Sequence, residues 1–280
     1  MSATPDWFNP TVAQQLLFNT IRIETRESAK GQTTGAGTGF LVSHGRSGQS
    51  DHVFLVTNKH VVVGAAAVVV FFSHKAPRGG PKLGSAFWVE VNSFGHAWYG
   101  HPDSNVDVAI LRIDPVLDRL LRNKNEIPYL IKLQSTAIPT AEHLTQLDSY
   151  LPIIFLGYPS GLYDEKHFTP LIRQGTTAST PGLDFCGRPE FLIDAGVFPG
   201  SSGSPVFSFD LSIKGQIIDF RLLGLISKTL QQTELGELRF EEVPTILRPV
   251  VPIRQFLNLG VVVKATAIAE TIDAYCRDNS

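Results

Sequence analysis

The sequence predicts an all-β fold with one helix at its C-terminal end. Short runs of β-branched and aromatic residues alternate with turn signals, a pattern typical of β-barrels and β-sandwiches. The 280 residues include 24 glycines and 18 prolines, the two residue types that most often mark turns between such runs. Near the end the pattern changes, because apolar residues from Ala265 to Cys276 recur at helical spacing.

The predicted strands fall into two sets of six. In the first half they span 17–25, 36–43, 52–57, 66–73, 86–92 and 105–113. In the second half they span 151–157, 169–179, 190–195, 204–209, 215–227 and 238–251. Short helices are predicted around Val12 and Leu16, at 115–122 and at 139–147. Six and six strands fit two barrels, although the count alone leaves a sandwich open.

The length allows one large domain or two small ones. We divide the chain into an N-terminal extension (1–19), two β regions (20–135 and 136–262) and a C-terminal helix (263–280). The formal net charge of −2 gives no reason to expect nucleic acid or an anionic membrane as a partner. The longest uncharged apolar run, 61–72, is too short to span a bilayer, so no membrane contact is expected.

One glycine- and serine-rich stretch carries the strongest chemical signal. Residues 200–207 read Gly-Ser-Ser-Gly-Ser-Pro-Val-Phe and lead directly into an apolar run. Small residues allow a tight turn that exposes a serine hydroxyl close to backbone N–H groups, as acyl-transfer chemistry requires. The candidate nucleophile is Ser202, with Ser201 and Ser204 as competitors. Because such turns are common in β-rich chains, the stretch alone also fits an ordinary hairpin turn.

Two further residues complete a possible triad. His60 follows the predicted strand 52–57, and Asp107 lies where a near-continuous apolar run begins. A carboxylate there is costly to bury unless it accepts hydrogen bonds, and an imidazole N–H would satisfy it and fix the ring tautomer. Asp103 competes with Asp107, but it lies in a Pro/Ser/Asn loop and is interpreted as a turn residue.

The motifs around these residues resemble a known family. Thr57–Val62 reads Thr-Asn-Lys-His-Val-Val, Asp107–Leu111 reads Asp-Val-Ala-Ile-Leu, and Asp194–Pro205 contains Pro-Gly-Ser-Ser-Gly-Ser-Pro. These stretches are similar to the histidine, aspartate and serine motifs of trypsin-like, chymotrypsin-fold serine proteases. Within this family the chain resembles the bacterial branch that includes the high-temperature-requirement proteases and the glutamyl endopeptidases. The resemblance extends from about residue 20 to about residue 258.

The resemblance implies two six-stranded antiparallel β-barrels, a chymotrypsin-like double barrel followed by the C-terminal α-helix. It implies a serine endopeptidase in which His60, Asp107 and Ser202 form the triad and act through an acyl-enzyme. The backbone N–H groups of Gly200 and Ser202 would form the oxyanion hole. The alternative is a catalytically silent relative that only binds peptides or partner proteins.

The resemblance also places the substrate. The base of the specificity pocket would be Gly196 and Val197, and Ser227, Lys228 and Thr229 would pair with an extended protein or peptide substrate. The sequence shows no charged selector there, so uncharged apolar P1 residues are expected. The residues of the pocket wall, within 228–250, cannot be aligned with the family from the sequence. Arg248 or Glu242 in that range is therefore an alternative source of a charge in the pocket.

The resemblance also bears on the cellular compartment of the protein and on how its activity is controlled. The chain has two cysteines, Cys186 and Cys276, and no recognisable signal peptide, which favours the cytoplasm. Neither cysteines nor histidines have metal-binding spacing, so no metal or cofactor is expected. Ser201 stands where trypsin-like zymogens carry an aspartate. Control is therefore expected from loop ordering, a ligand or a regulatory partner protein.

Overall fold

The computed structural model describes residues 11–28, 31–45, 51–91, 98–122, 126–211, 217–234 and 253–279. The first half contains α1 (Val12–Asn19), β1 (Thr20–Arg26), β2 (Thr33–His44), β3 (His52–Thr57), α2 (Lys59–Val62), β4 (Ala67–Lys75), β5 (Pro81–Val91), β6 (Trp98–Gly100), β7 (Ala109–Arg112), α3 (Asp114–Arg122) and β8 (Leu133–Gln134). The second half contains α4 (Ala141–Thr145), β9 (Pro152–Gly157), β10 (Leu171–Thr177), β11 (Glu190–Asp194), β12 (Pro205–Leu211), β13 (Ile217–Glu234), β14 (Ile253–Lys264) and α5 (Ala265–Asp278).

The N-terminal half forms one sheet in the order β5-β4-β1-β2-β3-β7-β6, with β8 added in parallel to β2. Its inner face is lined by apolar residues of β1, β3 and β4, such as Ile23, Leu55 and Val70. Strand β3 lies in the middle of this sheet, bonded to β2 on one side and β7 on the other. Consequently the residues that follow β3 and those that precede β7 come together at one end of the sheet.

The C-terminal half forms a closed six-stranded barrel in the order β10-β11-β14-β13-β12-β9. Its interior contains buried apolar residues from every strand except β10, among them Phe155, Phe191 and Val262. Closure leaves no unpaired sheet edge, which removes a common route to aggregation. The predicted fold class is confirmed: a mainly β chain with a closed six-stranded barrel, a second sheet and a C-terminal helix, consistent with a chymotrypsin-like double barrel.

A third apolar cluster joins the two halves. It combines Phe40 and Phe54 of the N-terminal sheet with Leu156 and Phe207 of the C-terminal barrel. Ile268 on α5 belongs to the same cluster and is fully buried. The helix therefore packs across the junction between the halves.

Several predicted strand boundaries were wrong, and three of them have a clear physical reason. The strand predicted at 17–25 begins only at Thr20, because the capping box of Thr11 and Gln14 starts a helix that continues to Asn19. The strand predicted at 105–113 is limited to Ala109–Arg112, since the preceding residues form an irregular loop around Asp107. The sixth barrel strand is Ile253–Lys264, and its last two residues fall within the range predicted for the C-terminal helix.

The strand predicted at 238–251 lies outside the described residues, as do Glu242 and Arg248. Strand β14 closes the barrel by pairing with both β11 and β13. The sequence pattern does not reveal this strand, because its apolar residues 261–263 run directly into the helical repeat of α5. The short strands β6 and β8 were also absent from the prediction.

Candidate active site

Ser202 lies in a turn whose shape depends on two glycines. Gly200 and Gly203 have φ angles of 87° and 85°, a region that residues with a Cβ rarely adopt. A Cβ on Gly203 would also lie 1.9 Å from the carbonyl oxygen of Thr38. The turn is held against β2 by a hydrogen bond of 2.8 Å from Thr38 N to the Ser202 carbonyl. The backbone at Ser202 is therefore fixed from both sides.

The three serines of this stretch differ in accessibility. Ser201 and Ser204 are 1% and 0% exposed, whereas Ser202 is partly exposed. The Ser202 hydroxyl donates a hydrogen bond of 3.4 Å to the carbonyl oxygen of Ser227 on β13. Of the three hydroxyls, that of Ser202 is the one open to an incoming molecule.

His60 lies on α2, the short helix that follows β3. Its Nδ1 is 2.7 Å from Asp107 Oδ2, and its backbone N–H donates to Asp107 Oδ1 at 3.2 Å. An ionised carboxylate can only accept, so Nδ1 carries the proton and Nε2 is left with its lone pair. The imidazole is about half exposed, and its ring borders the same cleft as Ser202.

Asp107 accepts hydrogen bonds from both halves of the molecule. Ser227 Oγ donates to Oδ2 at 2.6 Å, alongside the bond from His60, and Asn58 Nδ2 donates to the Asp107 carbonyl at 2.7 Å. Burial alone would raise the pKa of Asp107. The bonds from His60 and Ser227 outweigh it and hold the pKa below its ordinary value. The carboxylate is therefore ionised at neutral pH.

Lys59 stabilises the loop that leads to Asp107 through hydrogen bonds. Its ammonium donates to the carbonyl oxygens of His101 and Asp103 at 2.9 and 2.8 Å. Burial lowers the pKa of Lys59, although the charges of Asp107 and Asp103 act in the opposite direction. Asp103 itself is exposed, and its carboxylate accepts from Asn105 within the turn. The structure thus brings Asp107, and not Asp103, to the imidazole.

The hydroxyl of Thr38 fixes the orientation of the turn at Gly200. Thr38 Oγ1 donates to the Gly200 carbonyl at 2.9 Å and accepts from Tyr158 N at 3.2 Å. Ser160 N donates to the Pro199 carbonyl at 2.5 Å. The carbonyls of Gly200 and Pro199 are thus hydrogen-bonded. The N–H groups of Gly200 and Ser202, in contrast, have no acceptor among the residues that the structure describes. Two neighbouring N–H donors of this kind can stabilise a developing oxyanion.

A cleft of about 460 Å³ opens in front of these groups. Its lining contains His60, Pro199, Gly200 and Ser202 together with uncharged residues of the N-terminal sheet and the segment after α2: Thr25, Thr34, Gly35, Ala36, Val61, Val63, Gly64 and Ala65. A substrate held here would reach the hydroxyl, the imidazole and the free N–H groups together.

A family model described as a trypsin-like peptidase domain matches residues 37–214, well over half of the chain. The chain belongs to the trypsin-like peptidase family. A comparison with curated proteins gives no match. Membership supports serine-protease-type hydrolysis of peptide or protein substrates. The match does not separate the bacterial branch named above from other branches, so that assignment stays a prediction.

In this trypsin-like peptidase the predicted substrate strand lies on β13. Ser227 is 3% exposed, its hydroxyl donates to Asp107, and its carbonyl accepts from the Ser202 hydroxyl. The Lys228 ammonium forms an ion pair of 3.2 Å with the buried carboxylate of Glu190. Thr229 Oγ1 donates to the Leu259 carbonyl on β14. The side chains of all three residues are thus engaged within the protein.

The predicted pocket base differs from the expectation in two respects. Val197 is 5% exposed and packs in the barrel core with Ile193 and Ile226, so its side chain is not available to line a pocket. Gly196 has a charged neighbour, because a Cβ placed on it would lie 3.1 Å from Arg173 Nη2. Arg173 is therefore a charged group beside Gly196 that the sequence interpretation did not consider, and the preference for uncharged P1 residues stays a prediction.

Sequence reasoning missed Arg173, Thr38 and the hydroxyl of Ser227. Each lies far along the chain from the group it contacts, and none belongs to the motif of that group. No three His, Cys, Asp or Glu side chains cluster as a metal site within the described ranges. No helix in those ranges is long and apolar enough to cross a bilayer.

Proposed function

We propose that this protein is a serine endopeptidase that acts through His60, Asp107 and Ser202. The observation that carries the proposal is the bond of 2.7 Å between His60 Nδ1 and Asp107 Oδ2, with Ser202 on the same cleft. It leaves the His60 Nε2 lone pair available to accept a proton. A carboxylate, an oriented imidazole and an exposed hydroxyl are the components of acyl transfer to serine.

The mechanism assigns each group one task. As Ser202 Oγ attacks the scissile carbonyl carbon, its proton passes to His60 Nε2, and Asp107 stabilises the resulting imidazolium. The tetrahedral intermediate expels the amine, which takes that proton from His60 and leaves an acyl-enzyme. Water then attacks the ester, gives its proton to His60, and releases the carboxylic acid while Ser202 regains its proton.

The oxyanion of each tetrahedral intermediate would lie against the N–H groups of Gly200 and Ser202. Both donors are held in place before the substrate arrives. Ser160 N binds the Pro199 carbonyl and Ser204 N binds the Ser201 carbonyl, so both peptides that carry these N–H groups are fixed, and Thr38 binds the Gly200 carbonyl between them. Preorganised donors need no rearrangement during the reaction, and losing one typically costs about 2.7–4 kcal/mol of transition-state stabilisation.

An extended substrate would bind along β13. The Ser227 carbonyl now accepts from Ser202 Oγ, and a substrate N–H would replace that hydroxyl. The exchange frees Ser202 Oγ to face His60 when substrate is present. We further propose a reducing, cytoplasmic setting, since Cys186 and Cys276 are both free.

One observation favours the silent, peptide-binding alternative. The Ser202 hydroxyl bonds to Ser227, and no hydrogen bond joins it to the imidazole of His60 in the described parts of the chain. If that arrangement persisted with substrate, the protein would bind peptides without cleaving them.

A fluorophosphonate probe separates the two candidates. Endopeptidase activity predicts covalent labelling at Ser202 that is lost in both Ser202→Ala and His60→Ala. Ser202→Ala should also lower kcat by about 10⁴–10⁶-fold, and adding His60→Ala should cost little more. Ser149→Ala, at an exposed serine, is the matched control and should label as the wild type does. Peptide binding without labelling would establish the silent alternative.

A further inference from the structure

Arg173 occupies an unusual place at the edge of the barrel core. It lies on β10 directly opposite Phe155 of β9, and cross-strand neighbours share one face of a sheet. Because Phe155 is buried in the barrel core, the Arg173 side chain starts on the same inner face. Its guanidinium lies 5.6 Å from the Phe155 ring centroid and 4.9 Å from that of Phe198.

The guanidinium lies against the segment that leads to Ser202. Nη2 is 3.1 Å from the position of a Cβ on Gly196, so a side chain there would push the guanidinium away. Phe198, which stacks on Arg173, lies two residues further along the segment and is 39% exposed. The absence of a side chain at Gly196 thus gives Arg173 access to the predicted pocket base.

Arg173 also has no anionic partner in the described part of the chain. Arg22, Arg26 and Arg112 form ion pairs with Glu24, Glu90 and Asp114. In contrast, no described Asp or Glu pairs with Arg173, and its Nη1 is buried without a hydrogen-bond acceptor among the described residues. Removing a guanidinium nitrogen from water without an acceptor is costly, and cation–π contacts compensate only part of that cost.

We propose that Arg173 selects substrates with an acidic P1 side chain. The inference rests on the proposed endopeptidase function and names its substrate class. A glutamate or aspartate side chain entering past Gly196 would place its carboxylate on the planar fork of the guanidinium and supply the acceptor that Nη1 lacks. Phe198 and Phe155 hold the guanidinium from the sides, which reduces the entropy lost when the carboxylate binds.

The test compares peptide substrates that differ only in Glu or Gln at P1, because these side chains have the same shape and differ in charge. The wild type should cleave the Glu substrate with a kcat/KM about 10- to 100-fold higher. In Arg173→Gln and Arg173→Met the preference should disappear, while cleavage of the Gln substrate changes little. Arg119→Gln removes an exposed positive charge on α3 and should keep the wild-type preference.

Binding to Ser202→Ala provides a second measurement that is independent of turnover. Peptide amides ending in Glu should bind at least about 10-fold more tightly than those ending in Gln, and Arg173→Met should abolish the difference. Equal kcat/KM or equal affinity for the two peptides would overturn the proposal, as would a Glu preference that survives in folded Arg173→Met. If cleavage depends on Ser202 but is equally fast for the Glu and Gln substrates, the role of Arg173 in selection is refuted and the endopeptidase function stands. Selective binding without any cleavage would refute only the endopeptidase function.

Discussion

At the scale of single residues, Asp107 is the most constrained group of the candidate site. Its carboxylate accepts from the imidazole and backbone N–H of His60 and from the hydroxyl of Ser227. Because these bonds lower the pKa of Asp107 in the folded protein, its ionised form stabilises the fold above the unfolded-state pKa. That contribution is lost as the pH falls through the lowered folded-state pKa. At neutral pH the carboxylate is charged and keeps the proton of His60 on Nδ1.

Exchanging this carboxylate for an amide should separate its role from that of its neighbour Asp103. Asp107→Asn retains the shape but can donate to Nδ1, which favours the wrong imidazole tautomer and should lower kcat on the order of 10⁴-fold near neutral pH. Asp103→Asn is the matched control, since that carboxylate is exposed and, within the described ranges, accepts hydrogen bonds from Asn105 alone. Steady-state kinetics on one peptide substrate would decide. A larger loss in Asp103→Asn would mean that the wrong aspartate was assigned.

Lys59 shows how a residue beside the proposed triad can support it through the backbone of a loop. Its ammonium binds two carbonyls of the loop 101–107, and Asn58 binds a third, that of Asp107. Backbone carbonyls that are satisfied by fixed donors keep an irregular loop in one conformation. The carboxylate is therefore presented to His60 at a defined distance despite the absence of regular secondary structure around it.

At the scale of elements, β2 connects the two halves of the candidate site. Thr38 uses its N–H for the Ser202 carbonyl, its carbonyl for Thr57 Oγ1, and its hydroxyl for the Gly200 carbonyl. A strand of the N-terminal sheet thus positions the turn in the C-terminal half that carries the proposed oxyanion donors. The register of β2 against β1 and β3 sets where Thr38 lies, so the sheet determines the geometry of that turn.

Removing the Thr38 hydroxyl should loosen this turn while leaving the triad intact. Thr38→Val has a similar shape but leaves the Gly200 carbonyl and Tyr158 N without their partner, so the oxyanion donors lose orientation. We expect kcat to fall between about 10- and about 100-fold, less than when an oxyanion donor itself is removed, with little change in KM. Thr38→Ser keeps the hydroxyl and should restore most of the activity. Equal kcat in Thr38→Val and the wild type would contradict the positioning role.

The candidate site was predictable where chemistry lies within a local motif. His60, Asp107 and Ser202 each lie in a recognisable stretch. The structure joins His60 to Asp107 and places His60 on the same cleft as Ser202. Arg173 was not predictable, because its place beside Gly196 depends on strand pairing between β10 and β9 and on barrel closure. Val197 was misassigned for the same reason, since position in sequence does not reveal which way a side chain faces in an irregular segment.

The fold was predictable where alternation and turn signals were clear. Strand β3 was predicted with its observed bounds, His52–Thr57, because a polar break precedes and follows it. The prediction failed where two patterns merge, as at Asn19 and Thr20, where a helix passes into a strand without a glycine or proline. At Lys264 and Ala265 the same occurs in reverse, since strand β14 leads directly into α5.

At the scale of the whole molecule, the apolar cluster between the two halves decides whether the site exists. His60 and Asp107 come from the N-terminal half of the chain, whereas Ser202 and Ser227 come from the C-terminal half. The hydrogen bonds across the site are too few to hold two domains together, because each contributes about 0.5–1.5 kcal/mol net. Burial of the cluster that contains Phe40, Phe54 and Ile268 therefore supplies most of the free energy that keeps the two halves packed.

The C-terminal helix should therefore be needed for both stability and activity. Ile268 on α5 is fully buried in the junction cluster, so Ile268→Ala leaves a cavity there and should cost about 2–5 kcal/mol of unfolding free energy. Asp273→Ala, at an exposed position of the same helix, is the matched control and should change that free energy by less than about 0.5 kcal/mol. Urea unfolding followed by fluorescence, with peptidase activity measured on the same samples, tests the coupling. We expect activity and structure to be lost at the same urea concentration in each variant, because the triad is assembled only while the two halves remain packed. Activity that survives after the junction has opened, or that disappears while both halves stay packed, would show that α5 does not couple assembly of the site to the fold.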